Sequence, residues 1–214
     1  DRSPSRGLGD VYKRQTLIGY GGEDWEFGFR AYNAGATLLH EPGAVARHEE
    51  EDFSQRFADP ADAAAVKNAE SRALAMRMTH PLARPAGVIF PDFDIRVTVP
   101  PLTGEGVLEF VITEWVKIGA YVQVDQVPEL FAADPRVGED PVEARVHVAI
   151  GAAWAPQNAH ALLAVEHVLT ADGTVVRTAR AAALELEPVA ATPESIGLTP
   201  VAGPLQLERY FAGW

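Results

Sequence analysis

Two glycines, two adjacent acids and a tryptophan stand together at Gly21, Gly22, Glu23, Asp24 and Trp25, and a histidine follows at His48. Glycines permit positive φ and let a ligand approach the backbone closely. A helix that starts behind them turns its free N–H groups and its positive dipole end toward the same space. One of the two acids is expected to cap that helix while the other points into a cleft as a carboxylate. Adjacent carboxylates rarely titrate alike, which leaves one of them as a proton acceptor. Trp25 offers a flat apolar surface of the kind on which sugar rings stack. A neutral imidazole at His48 suits a divalent metal ion, with nearby carboxylates as oxygen ligands. Each residue also has a purely structural reading. Acids in a first helical turn are ordinary capping chemistry, Trp25 with Phe29 and Tyr32 makes a core face, and a lone histidine at a strand end is commonly no ligand.

These side chains need elements to hold them. Trp25, Phe29 and Tyr32 fall at i, i+4 and i+7, which predicts a helix over 24–33 with Gly35 at a left-handed C-cap. ATLLH then reads as a short strand, EPG as a turn, and AVARH as a second short strand ending on His48. A second helix fills ADPADAAAVKNAESRALAMRMTH, capped by Asp59 or Asp62 and stopped before Pro81. HPLARPAGVIFP is rich in proline and reads as a linker. Beyond it, DIRVTVP is a strand by its β-branched alternation, EGVLEFVITEWVKIG an amphipathic helix closed by Gly119, and AYVQVDQVP and RVHVAIGAAW are further strands. A helix start is expected near ADPRV. LLAVEHVL and TVVRTARAAAL, either side of Asp172-Gly173, are a hairpin or else a helix, a strand and a helix, with RTARAAALELE read as helical. Strand, helix, strand and strand in this order imply an α/β unit with a partly parallel sheet.

Bulk properties narrow the partners. The chain has 214 residues, 47% of them hydrophobic, enough for one large domain or two small ones. It contains no apolar run of about 18 residues and no signal-peptide pattern, so no transmembrane segment is expected. The lack of cysteine excludes disulfides and thiolate metal sites and fits a reducing compartment, so the expected location is cytoplasmic. Net charge is −12, with acids concentrated in EEED at Glu49 to Asp52, and no Lys/Arg stripe offers itself to nucleic acid. Phosphate recognition survives that charge if a divalent cation carries it. Residues 1–15, DRSPSRGLGDVYKRQ, have no apolar period and end in VYKRQ, which looks like translated adapter DNA. They are set apart from the fold as an artefact or a disordered tail, and the domain is expected to begin near Thr16. Trp115, Trp154 and Trp214 are read as core or contact residues, Asp125, Asp134, Asp140 and His147 as surface or caps, and Arg30 as a surface or ion-pair residue. His160 and His167 are too far apart in sequence for an ordinary metal pair.

The order G-Y-G-G-E-D-W-E-F-G-F-R-A-Y-N-A-G-A, then E-P-G-A-V-A and a histidine, resembles the C-terminal catalytic segment of family 2 glycosyltransferases of the GT-A fold. It is similar also to the galactosyltransferases that carry a W-G-G-E-D motif. The resemblance runs from Leu17 to His48 and implies roles by position. Asp24 would be the general base on the acceptor hydroxyl, and Glu23 would bind the acceptor or orient the loop. Gly21 and Gly22 would wall the donor sugar, Trp25 would be the acceptor platform, and His48 would ligate a divalent cation, Mn or Mg. A GT-A enzyme also needs a nucleotide-binding half with an Asp-x-Asp element, and neither stands upstream of Thr16. Asp92-Phe93-Asp94 has that spelling but lies downstream, before a strand, and is read as a chance match.

The resemblance therefore implies an α/β chain in which residues 16–80 are a truncated GT-A-like C-terminal half. Residues 81–91 are a linker, and 92–214 form a second Rossmann-like or degenerate GT-A-like unit. PLTGEG in that unit lacks both the G-x-G-x-x-G fingerprint and a P-loop. The implied function is a fragment of an inverting glycosyltransferase, inactive alone. It would move sugar by direct displacement from a nucleotide-sugar donor to the hydroxyl of a glycan or other acceptor. The alternative is a non-catalytic α/β carbohydrate-binding or scaffold module. A hydrolase has no support, since neither G-x-S-x-G nor H-E-x-x-H occurs.

Overall fold

The structure, a computed structural model, describes residues 22–45, 57–85 and 87–211. Two compact units divide the chain, Asp1–Pro85 and Ala86–Trp214.

In the first unit, helix α1 spans Glu23–Asn33 and α2 spans Pro60–Ala75, followed by a 3-10 turn at Pro81–Ala83. α2 begins because Asp59 caps it, its side chain accepting from the Ala61 N–H at 2.8 Å, with Pro60 preset for the first turn. α1 ends through Ala34 and Gly35, the glycine at φ 95 as a left-handed cap requires. Two expectations are corrected here. Ala36–His40 is exposed and forms no strand with any described segment. The α1 apolar stripe is not a core face: Glu26 and Ala31 are buried, whereas Trp25 and Tyr32 are exposed. The second short strand was expected to end on His48, which lies outside the described residues.

The second unit is α/β with a mixed seven-stranded sheet. Its strands are β1 (Phe93–Thr98), β2 (Tyr121–Gln123), β3 (Val137–Gly138), β4 (Ala144–Ala149), β6 (His167–Thr170), β7 (Val175–Thr178) and β8 (Val189–Ala191). β5 (Trp154–Pro156) and β9 (Leu198–Pro200) form a separate antiparallel pair. The helices are α3 (Val107–Lys117), α4 (Ala159–Leu163), α5 (Ala179–Ala183) and α6 (Glu208–Phe211). Sheet order is β3-β2-β1-β4-β7-β6-β8, with β3, β2, β1 and β4 parallel and β7 antiparallel to both neighbours. α3 is the crossover from β1 to β2, as a parallel pair demands.

Register puts Ile95 beside Val146 and, one row on, Val122, Val97, Val148, Val176 and Val168 in line on one face. That face packs on Val111, Ile112 and Trp115 of α3 and on Leu162 of α4 to form the core. Burial of each such side chain contributes about 1.5–3 kcal/mol. Trp115 is fully buried and its indole N–H donates to the Trp154 carbonyl at 2.9 Å, as its core reading anticipates.

Elsewhere the elements differ from expectation in detail. RVHVAIGAAW is two strands in two sheets, β4 stopping before Gly151 and β5 starting at Trp154. At ADPRV there is no helix; a 3-10 turn at Glu129–Phe131 leads into the short β3. A hairpin does form across Asp172-Gly173, preceded by the short α4. The helix expected over RTARAAALELE lasts only from Ala179 to Ala183, and Glu185 beyond it takes φ 52.

Candidate functional site

The candidate site is the mouth of α1 in the first unit. Gly22 is its N-cap residue at φ 83, a conformation that glycine adopts without strain. A Cβ there would sit 3.2 Å from the Leu74 side chain of α2, so the glycine also serves helix packing. Neither acid caps the helix, contrary to expectation. The N-cap position falls on Gly22, and Glu23 and Asp24 are the first two helical residues, where their charge meets the positive dipole end. Glu26 completes an acidic first turn and is buried, held by Arg30 through two hydrogen bonds of 2.9 and 3.1 Å. Arg30 is thus an ion-pair residue.

Asp24 is exposed, and Trp25 beside it is 74% exposed. Glu23 is half-buried, and its Oε2 is shielded from solvent without a hydrogen-bond partner. Leaving a carboxylate oxygen so placed is costly, and a donor brought by a ligand would relieve it. The mouth therefore presents an exposed carboxylate, a shielded carboxylate oxygen lacking a donor, and an indole face. Such a set can hold a hydroxylated ring and take a proton from it.

Gly21 and His48 lie outside the described residues, so the motif is seen only as Gly22, Glu23, Asp24 and Trp25. Among the described residues no group of three or more His, Asp or Glu is placed to hold a metal ion, and we derive no step through a divalent cation. Asp94 of the Asp-x-Asp spelling lies inside β1, not before it, and is buried in a two-pronged pair with Arg145 at 2.8 and 2.7 Å. Its carboxylate is thereby engaged, as its chance reading requires.

Residues that the sequence reading left as surface are engaged in the second unit. Asp134 pairs with Arg136 at 2.7 Å, and the hydrogen bonds from that guanidinium hold its carboxyl below the usual range. His147 takes a hydrogen bond from Arg96 at 2.8 Å on Nδ1, which places its proton on Nε2, donating to the Ala144 carbonyl at 2.9 Å. Burial and the neighbouring Arg96 charge push its pKa down. Asp172, in the β6–β7 turn, accepts from Thr170, from the Trp154 indole at 2.7 Å and from Thr174 at 3.0 Å, pinning the hairpin to the start of β5. A period of two in RVT, RVH and VVRT is the sequence signal that puts Arg96, His147 and Arg177 on one sheet face.

No protein-family model, no curated protein and no solved structure matches this chain. Among the described residues no helix is long and apolar enough to cross a membrane.

Proposed function

We propose that residues 16–80 are the acceptor side of a glycosyltransferase of the GT-A type, acting on a nucleotide-sugar donor and the hydroxyl of a glycan or similar acceptor. The observation that carries this reading is Trp25, 74% exposed in the first helical turn beside the exposed Asp24. Leaving a tryptophan of about 150–250 Å² in water forgoes roughly 4 kcal/mol of burial. A platform for a sugar ring gives that exposure a use. Asp24 would take the acceptor proton as the new glycosidic bond forms and the nucleoside diphosphate departs. Glu23 would accept a hydrogen bond from another acceptor hydroxyl. Gly21 and Gly22 as donor wall and His48 as a ligand to Mn or Mg complete the reading by motif position.

A second reading, a non-catalytic carbohydrate-binding module, is favoured by Gly22, whose place against Leu74 explains the glycine without a donor. One experiment tests both. The full chain is applied to a glycan array, then incubated with nucleotide-hexoses and each bound glycan in the presence of Mn²⁺. Glycan binding lost in Trp25→Ala supports the site. Transfer that disappears in Asp24→Asn while glycan binding survives supports the enzyme, and binding without transfer, which the acceptor side alone also predicts, supports the carbohydrate site without deciding between the two. A chain that binds no glycan, or binds equally well as Trp25→Ala, overturns both readings.

A further inference from the structure

The second unit carries a separate feature on the sheet face opposite its core. Register places Tyr121, Arg96, His147, Arg177 and His167 in one row across β2, β1, β4, β7 and β6. This face is covered at β2 and near the starts of β1 and β4, where Tyr121, Asp94 and the Arg145 side chain are buried. Along the row Arg177 is exposed and Arg96, His147 and His167 are half-buried.

The charge here runs against the rest of the unit. Residues 86–214 carry 17 Asp and Glu against seven Lys and Arg. Four of those seven cations are in ion pairs, with Glu114, Asp134, Asp94 and Glu166. Arg96 and Arg177 form none with a described carboxylate, and Arg96 spends its hydrogen bonds on the Val142 carbonyl and His147. Its Nε is buried without a partner. The two arginines lie two strands apart, about 10 Å between backbones, within which both guanidinium forks can reach one anion above His147. The adjoining row is Ala149, Val175 and Leu169, with Ala149 exposed and Leu169 43% exposed, an apolar shelf beside the cations.

We propose that this row binds a small phosphorylated molecule, its phosphate on Arg96 and Arg177 and an apolar body over Ala149, Val175 and Leu169. A phosphate has more acceptor oxygens than a carboxylate and matches two planar forks. A long polyanion is disfavoured because the acidic remainder of the unit would repel it. The site stands apart from the proposed glycosyltransferase motif and does not depend on it.

The test is calorimetric titration of the full chain with orthophosphate and with phenyl phosphate. Both should bind, phenyl phosphate at least threefold more tightly, and Arg177→Gln should weaken both at least tenfold. Arg96→Gln, checked for folding by circular dichroism, should do the same, and the ¹⁵N shifts of the His147 imidazole should move on titration. No binding, binding unchanged in Arg177→Gln, or phenyl phosphate no tighter than orthophosphate overturns the proposal. So does a dimer that Arg177→Gln dissolves while neither phosphate binds, which would assign the row to contact between copies of the chain.

Discussion

Removal of Arg145 should unfold the second unit more readily than any surface change. Asp94 and Arg145 face each other on neighbouring parallel strands, with side chains only 7% and 10% exposed. Two hydrogen bonds of 2.8 and 2.7 Å join the guanidinium fork to the carboxylate. Arg145→Ala leaves a charged carboxylate inside the sheet, and breaking a buried pair in this way costs about 3–5 kcal/mol. A unit of this size has a total stability of roughly 6–20 kcal/mol, so the loss is a large share of it. With a urea slope of about 2 kcal/mol per molar, the midpoint should fall by about 2 M. The double variant Asp94→Leu/Arg145→Leu removes both charges together and should recover most of that loss, because an apolar pair carries no desolvation penalty. Fluorescence of the buried Trp115 reports the transition. A midpoint shift under about 0.5 M in Arg145→Ala, or a double variant weaker than the single one, would refute the argument.

His147 has a pKa below the ordinary histidine value of about 6.5, so the folded unit binds fewer protons than the unfolded chain just below that pH. Its contribution to stability should therefore decline as pH falls through about 6.5 toward the folded value, and urea midpoints at several pH values should lose that slope in His147→Gln. Gly197 takes φ 80, and a Cβ there would lie 2.8 Å from the Asn158 carbonyl oxygen, so Gly197→Ala should cost about 2 kcal/mol or more in denaturant unfolding. Trp25→Ala, which removes an exposed side chain, should leave the thermal midpoint within the range of about 0.5 kcal/mol typical of surface changes. A large drop would show that the tryptophan is packed, not displayed.

Much of the second unit was legible because its strands alternate strictly. Ile95, Val97 and Val99, or Val146, Val148 and Ile150, can fill one face only as strands. The turn residues at Asp172-Gly173 left a hairpin as one of two readings, and the hairpin is the one that forms. The split of RVHVAIGAAW was not legible, because where a strand ends depends on which neighbour supplies its ladder. At α1 the helix itself was legible from Trp25, Phe29 and Tyr32, yet the buried residue is Glu26. Its ion pair with Arg30 lets a charged side chain be buried, and apolar period alone cannot foresee that. The row of Arg96, His147 and Arg177 needed register between strands distant in sequence, which no local pattern contains.

The pairing of β5 with β9 fixes when the second unit can be finished during synthesis. Trp154 and Ala155 find their ladder partners only at Pro200 and Thr199, and the Trp115 indole bonds to the same β5 segment. A nascent chain that has emerged only through β7 has β1, β4 and β7 available, but β6 without β8 and β5 without β9. The edge of β6 is then open to other chains until β8 arrives, and β5 stays unpaired until β9 does. Contacts this distant in sequence make folding slow, so the unit cannot close before β9 has been made.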